Sequence, residues 1–299
     1  MTLRDLQRRF GIPGVLTIDE GRGSLSRLTV ATDLATAELY LHGAHLTAYQ
    51  PRGAKPVLFM SEESLFEPTK PIRGGIPVIF PWFGPRAGSP DSPAHGFART
   101  RAWDLESCAL QQDGSVRVDL ALADDDSSRR LWPDAFRLRL SFTIGKALDL
   151  ELEATAGSSP MSFEEALHTY FLVGDVREAR VEGLEGTDFL DKVDSFQRKT
   201  QPTEAIRITG ETDRVYLKTR SACVIRDPVL ARTITVEKEN SENTVVWNPW
   251  INKARAMADF GDDEWPAMIC VETANVGESA VRLDAGQSHL LRARVRVSG

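Results

Sequence analysis

The chain has 299 residues, 41% of them hydrophobic and 26% charged. That is a globular composition and excludes disorder, which needs low hydrophobicity with high net charge. Lys plus Arg number 36 against 43 Asp plus Glu, a formal net charge of −7, which disfavours broad nucleic-acid binding. A few well-placed arginines would still suffice for one small phosphorylated ligand.

Charges interrupt residues 1–10 throughout, so they form no secretory signal. Residues 3–10 read instead as a short helix stopped by Gly11. Residues 27–32 and 37–41 are the first strand candidates. Lys70-Pro-Ile-Arg-Gly-Gly-Ile-Pro-Val-Ile-Phe-Pro-Trp-Phe-Gly84 is dense in Gly and Pro and predicts a defined, irregular wall. The turn pair Asp113-Gly114 leads into a strand at 116–122. Residues 124–128 are a polar loop. In Phe136-Arg-Leu-Arg-Leu-Ser-Phe-Thr-Ile144 every even position is apolar and every odd one charged or polar. After Gly145-Lys146 the alternation resumes at 148–154, so this is a hairpin with each strand burying one face. Further strands are expected at 233–237, 244–247, 268–272, 281–283 and 290–297. A second helix is expected at 252–260, stopped by Gly261.

Many short strands separated by turn signals predict an all-β fold, a large antiparallel β-sandwich with a few short helices. No linker or repeat divides the chain. One domain over 1–299 is expected, with residues 1–24 as an N-terminal extension packed on it. No run approaches the roughly 18 apolar residues of a membrane span. The three cysteines, Cys108, Cys223 and Cys270, are far apart and form no C-x-x-C, which suggests neither a zinc ribbon nor a disulfide framework. The expectation is a cytoplasmic monomer with no membrane or nucleic-acid partner.

Several residues stand in chemically suggestive settings. His168 and Glu272 each sit in a strand-like apolar context, where a carboxylate is costly unless paired. Facing one pocket, they would make a general acid/base pair. Apart, His168 would be a hydrogen-bonded core histidine and Glu272 a strand-end ion-pair partner; more than a hundred residues separate them, so spacing does not pair them. Arg73 and Arg99 lie in the two glycine-bearing segments, where a guanidinium could fork onto a phosphate, or could simply be a surface arginine. Lys70 is a weaker candidate of the same kind. His95, beside Arg99, would reach a polar ligand or bond backbone. His42 and His45 invite a metal, but residues three apart on a strand point to opposite faces, so no metal site is expected. Trp82, Trp247 and Trp250 would stack on sugar faces or pack in the core. GxGxxG, Walker A, G-x-S-x-G and H-E-x-x-H motifs are absent, so neither nucleotide chemistry nor serine hydrolysis is supported.

Taken together, Ile72-Arg-Gly-Gly-Ile-Pro-Val-Ile-Phe-Pro-Trp-Phe-Gly84, His95-Gly-Phe-Ala-Arg99, His168-Thr-Tyr-Phe171, Asp213-Arg-Val-Tyr216, Trp247-Asn-Pro-Trp250, Gly261-Asp-Asp-Glu264 and Val271-Glu272 resemble the aldose 1-epimerase, or galactose mutarotase-like, superfamily. Within it the chain looks like the glucose-6-phosphate 1-epimerase (hexose-6-phosphate mutarotase) family. The resemblance covers most of the chain from about Val30 onward. It implies a β-supersandwich that interconverts the anomers of a hexose 6-phosphate without metal or cofactor. It also implies that His168 is the general acid, Glu272 the general base, Asp213 a sugar ligand, and Arg73 and Arg99 the phosphate ligands. Asp213 would otherwise be an Asx-turn or local ion-pair residue. One departure is Ala94, where family members can carry a polar substrate contact. Residue chemistry alone leaves two competing readings. A catalytically silent carbohydrate-binding sandwich would not need both His168 and Glu272. A glycoside hydrolase would pair Asp213 with Glu272, at about 5–9.5 Å. The mutarotase reading also predicts a bell-shaped pH profile, with the Glu272 carboxylate favouring the charged His168 imidazole.

Overall fold

The computed structural model describes residues 1–86 and 88–299. The segments of strongest period-two alternation assemble into one eight-stranded antiparallel sheet. Its order is Arg180–Glu182, Cys223–Asp227, Arg232–Glu239, Ser288–Ser298, Leu148–Ala156, Phe136–Ile144, Val116–Ala123 and Asp104–Leu110. The alternation decides its two faces. Leu138, Leu140, Phe142, Leu150 and Leu152 are buried. The charged positions between them pair across strands, as in Arg139–Glu153 at 3.0 Å and Arg117–Glu151 and Arg292–Glu151 at 3.1 Å. This is the one-face-wet pattern of an antiparallel sheet.

The second eight-stranded sheet carries the site. It runs Gln197–Thr200, Asp188–Asp191, Thr212–Tyr216, Asn243–Asn248, Met268–Asn275, Glu165–Leu167 and Val78–Ile79, with Tyr170–Leu172 also paired to Met268–Asn275. Its apolar side chains join those of the first sheet in one continuous core, where Phe80 lies 5.0 Å from Phe136 and 5.1 Å from Phe163. A four-stranded sheet, Leu16–Glu20, Ser26–Ala31, Ala35–Tyr40 and His45–Pro51, packs into the same core. Within the first 24 residues, the helix Leu3–Phe10 docks through Leu6 and Phe10, and Leu16–Glu20 is already an edge strand. No helix among the described residues is long and apolar enough to cross a membrane.

The second expected helix is shifted. It spans Trp250–Ala256, and a Met257 N–H to Ala254 C=O bond closes it a turn before Gly261. The freed segment turns Asp259 back onto Arg73, at 3.0 Å.

A buried clamp ties the end of the site sheet to the strand Ser288–Ser298. Glu165, fully buried, accepts from the His289 ring at 2.9 Å and from Asn275 Nδ2 at 2.9 Å. Burial opposes charge on His289, but the hydrogen bond and attraction of Glu165, with the Asn240 backbone, outweigh it and raise its pKa. The clamp is therefore complete at low pH and lost as pH rises through that raised value. His289→Leu should cost about 3 kcal/mol below neutrality, because it strands a buried carboxylate. Thermal unfolding of both proteins across pH tests this: the difference should shrink as pH rises, and a constant difference would assign His289 to packing alone.

Candidate active site

Strand register builds the floor of the site. Asp213 pairs with Trp247, Trp247 with Cys270, and Cys270 with Tyr170, a row of four residues across four hydrogen-bonded strands. Side chains on one face recur every second residue, so Glu272 follows Cys270 on the same face. His168 sits at the break between Glu165–Leu167 and Tyr170–Leu172, where both strands pair with Met268–Asn275. The Gly/Pro wall holds that break: the His168 N–H donates to Pro77 C=O at 3.0 Å, and Tyr170 N–H to Gly75 C=O at 2.9 Å. Gly75 is required there. Its φ is +59°, and a Cβ would stand 2.3 Å from the Leu46 carbonyl oxygen.

These elements enclose a cleft of about 290 Å³. Five of the six expected site residues face it together with Ala94, and Asp213 completes the set: His168, Glu272, Arg73, Arg99 and His95 all line the wall. Two larger grooves elsewhere lie mostly against strands of the first sheet, and several of their charged residues are already in ion pairs. The small cleft is the one that holds the buried His168 and Glu272.

His168 Nε2 lies 3.3 Å from Glu272 Oε1. Glu272 is 1% exposed, and neither of its carboxylate oxygens accepts a hydrogen bond; His168 Nδ1 is unpartnered too. Such orphaned polar atoms are costly and mark a site awaiting a ligand. Burial, then Asp213, pushes Glu272 well up, against Lys192 and Arg99. Burial, then Arg99 and Arg73, pushes His168 well down. The expected lift of His168 by its carboxylate neighbour is thus outweighed. Burial thus favours the neutral form of each group, a neutral imidazole beside a protonated carboxyl, so the pair carries one proton between them.

The cations differ in how far they are committed. Arg73 donates through Nη1 to the Tyr170 hydroxyl at 3.0 Å and through Nη2 to Asp259 at 3.0 Å. Arg99 donates to the Ala94 carbonyl at 2.8 Å and has no carboxylate partner among the described residues. Burial and Arg73 lower it to about 10. Asp213 is tied to Lys192 at 2.9 Å, a local ion pair with a residue the sequence did not point to. The position was invisible because Lys192 lies on a separate turn whose N–H bonds the Asp213 carbonyl. His95 bonds backbone, as one of its two expectations had it, and lines the cleft. Its Nδ1 accepts from Gly84 N–H at 3.3 Å, which leaves Nε2–H as a donor. Burial and Arg99 keep it neutral.

Other candidates lie outside the site. Lys70 is exposed and absent from the cleft wall. The His42 and His45 rings bond the carbonyls of Lys70 (2.7 Å) and Gly74 (2.9 Å), so both are structural. Trp247 does line the cleft, edge-on to His168 at 6.1 Å. Trp82 donates to Pro93 C=O within the core, and Trp250 packs on Trp265 at 4.1 Å. Among the described residues one trio has donors close enough to share a metal: His168, Cys270 and Glu272, within 4.8 Å. Burial and then Glu272 hold the Cys270 thiol well up, which opposes the thiolate that a metal would need. Activity is expected to survive exhaustive chelation unchanged. Loss restored by one divalent ion would overturn this.

Comparisons with known proteins identify the family. A sequence profile described as aldose 1-epimerase matches residues 26–296. A protein of Cenchrus ciliaris, provisionally named glucose-6-phosphate 1-epimerase, is 38% identical over 88% of this chain and 80% of its own length. One of Escherichia coli (strain K12) with the same provisional name is 37% identical over 88% and 87%. The crystal structure of a protein of Salmonella typhimurium provisionally named a mutarotase superposes with a TM-score of 0.90 at 33% identity, over 97% of this chain and 95% of its own. With a profile that matches residues 26–296, relatives 37–38% identical over most of their length and a crystal structure that superposes at a TM-score of 0.90, this chain belongs to the aldose 1-epimerase family.

Proposed function

We propose that the protein interconverts the α and β anomers of a hexose 6-phosphate, glucose 6-phosphate foremost, with Glu272 as general base and His168 as general acid. One observation carries the reading: a buried carboxylate and imidazole 3.3 Å apart, both with unpartnered polar atoms, on a cleft wall. The anomeric hydroxyl oxygen and the ring oxygen share one carbon, C1. A pair this close can therefore serve both oxygens at once.

In the forward step Glu272 takes the proton of the anomeric hydroxyl and a C1=O double bond forms. The C1–ring-oxygen bond breaks, and that oxygen takes a proton from His168. Rotation about C1–C2 turns the aldehyde over. In the reverse step His168 recovers its proton, Glu272 returns its own, and the opposite anomer closes. The open-chain stage thus leaves neutral His168 and protonated Glu272, the arrangement that burial favours. Arg99 and Arg73 take the phosphate. Asp213 and the His95 Nε2–H face the sugar hydroxyls, and Trp247 supplies an apolar wall.

Asp213 is already held by Lys192, which disfavours the hydrolase pairing of Asp213 with Glu272. The direct test starts from pure α-glucose 6-phosphate and follows anomer ratios by NMR, with the spontaneous rate subtracted. No acceleration would overturn the proposal.

The pH profile should be broad. The active pair holds one proton. It gains a second as pH falls through the lowered value of His168, and loses its only one as pH rises through the raised value of Glu272. The limbs are therefore the reverse of those expected from reference values. After correction for the ionisation of the substrate phosphate near pH 6, kcat/KM should stay level through neutrality. A fall centred near the ordinary histidine value of about 6.5 on the alkaline side would overturn it.

A further inference from the structure

We propose that the phosphate of the substrate activates the acid as well as anchoring the sugar: seated on Arg73 and Arg99, its negative charge lets His168 hold the proton destined for the ring oxygen. It follows that a free phosphate-like dianion will accelerate anomerisation of an unphosphorylated hexose in this cleft. The inference rests on the acid/base reading above.

Contact runs from the arginines to the acid. The Tyr170 ring stacks on the His168 ring, with centroids 4.9 Å apart and planes 13° apart. The Tyr170 hydroxyl accepts from Arg73 at 3.0 Å, so one aromatic ring separates guanidinium from imidazole. The charge balance singles out Arg99. Arg73 is compensated by Asp259, Lys192 by Asp213, and Lys253 by Glu211, each at 2.9–3.0 Å. His168 and Glu272 share one proton and sum to zero. Among the described residues of the cleft wall, Arg99 is left as the uncompensated charge. Its Nε and that of Arg73 are buried and unpartnered.

Substrate chemistry demands the same neighbourhood. In a hexose 6-phosphate, C5 carries both the ring oxygen and the phosphate-bearing C6 arm. Whatever grips the phosphate must therefore lie beside the acid that protonates the ring oxygen, while the base works at C1.

The pair has two arrangements with the same proton count: neutral His168 with protonated Glu272, or imidazolium with carboxylate. Because the count is equal, surrounding charge chooses between them and pH does not. The groups facing His168 are Glu272 at 3.3 Å, the His95 ring at 5.7 Å, Tyr170, Lys192 and the two arginines. After burial, Arg99 and Arg73 are the main influences against the imidazolium, whereas Arg99 is only a minor influence on Glu272 and Arg73 is not among its main ones. A dianion on the arginines removes that repulsion and moves the shared proton toward His168, the arrangement that opens a ring.

The test measures mutarotation of α-glucose by the wild-type protein at rising sodium phosphite, at constant pH and at ionic strength held by chloride. Spontaneous and phosphite-catalysed rates without protein are subtracted. Expected is a saturable rise in kcat/KM for glucose of about tenfold or more, absent in Arg99→Ala. In ¹⁵N-labelled wild-type protein, phosphite should move the His168 imidazole resonances toward the protonated form. If phosphite only competes with glucose 6-phosphate and leaves glucose turnover and the His168 resonances unchanged, the phosphate is an anchor alone and the inference falls. Glucose 6-phosphate is assayed in parallel. If the wild-type protein does not turn it over, the underlying function falls instead.

Discussion

Glu272→Gln is expected to cut the catalysed anomerisation of glucose 6-phosphate by about 10²–10⁴-fold while leaving the protein at least as stable as wild type. Both halves come from the same geometry. A positioned base contributes about that factor, and an amide of the same shape cannot take the proton. Neither oxygen of Glu272 makes a hydrogen bond in the folded chain, so the substitution breaks none. It also removes an ionisable group that burial pushes well up, and with it the cost of keeping that group inside. Sites that carry such a cost are where stability and activity trade against each other. Anomerisation rates by NMR and thermal unfolding on one preparation check both halves. Near-wild-type kcat in the folded variant would return the protein to the silent carbohydrate-binding reading. His168→Asn should lose activity comparably.

Arg99→Ala is expected to lower kcat/KM for hexose 6-phosphate about 10–100-fold more than for the free hexose. The magnitude is that of one charge-assisted hydrogen bond, about 1.5–3 kcal/mol. Arg99 is the better probe of the two arginines because it has no carboxylate to release, whereas Arg73 is already bound to Asp259 and Tyr170. Arg73→Ala would also strand Asp259, so its activity loss should come with lowered stability. Arg99→Lys should recover only part of the selectivity, since an ammonium lacks the planar fork that matches phosphate oxygens. Equal losses for phosphorylated and free hexose would place Arg99 in the scaffold. The chain carries a net charge of −7, so long-range attraction contributes nothing to this preference and it must be local.

The sheets with one wet face were legible in the sequence because a half-buried strand writes its environment into every second residue. Residues 136–144 and 148–154 alternate so strictly that their hairpin needed no structure, and the strand Phe136–Ile144 has the expected bounds. The site strands are different. Asn243–Asn248 and Met268–Asn275 are buried on both faces, so alternation vanishes and Glu272 reads only as a carboxylate in an apolar run. The helix near 250 ends before Gly261, closed by the Met257 N–H on Ala254 C=O, and Asp259 then meets Arg73, a long-range contact that no local pattern shows.

Composition and local pattern by themselves determined the all-β class, the first helix, the irregular Gly/Pro wall and a short list of reactive residues. Resemblance then suggested roles for five of them. Only the tertiary structure decided which side chains share a space, because register across non-consecutive strands brings together residues more than a hundred positions apart, as with His168 and Glu272. It also supplied the partners no spacing could show: Lys192 on Asp213, Asp259 on Arg73 and Tyr170 stacked under His168. And it set burial and two guanidiniums against the neighbouring carboxylate at His168. A neighbouring carboxylate favours an imidazolium in water, but burial and two guanidiniums outweigh one neighbour, and burial is a property of the folded chain that no window of sequence contains.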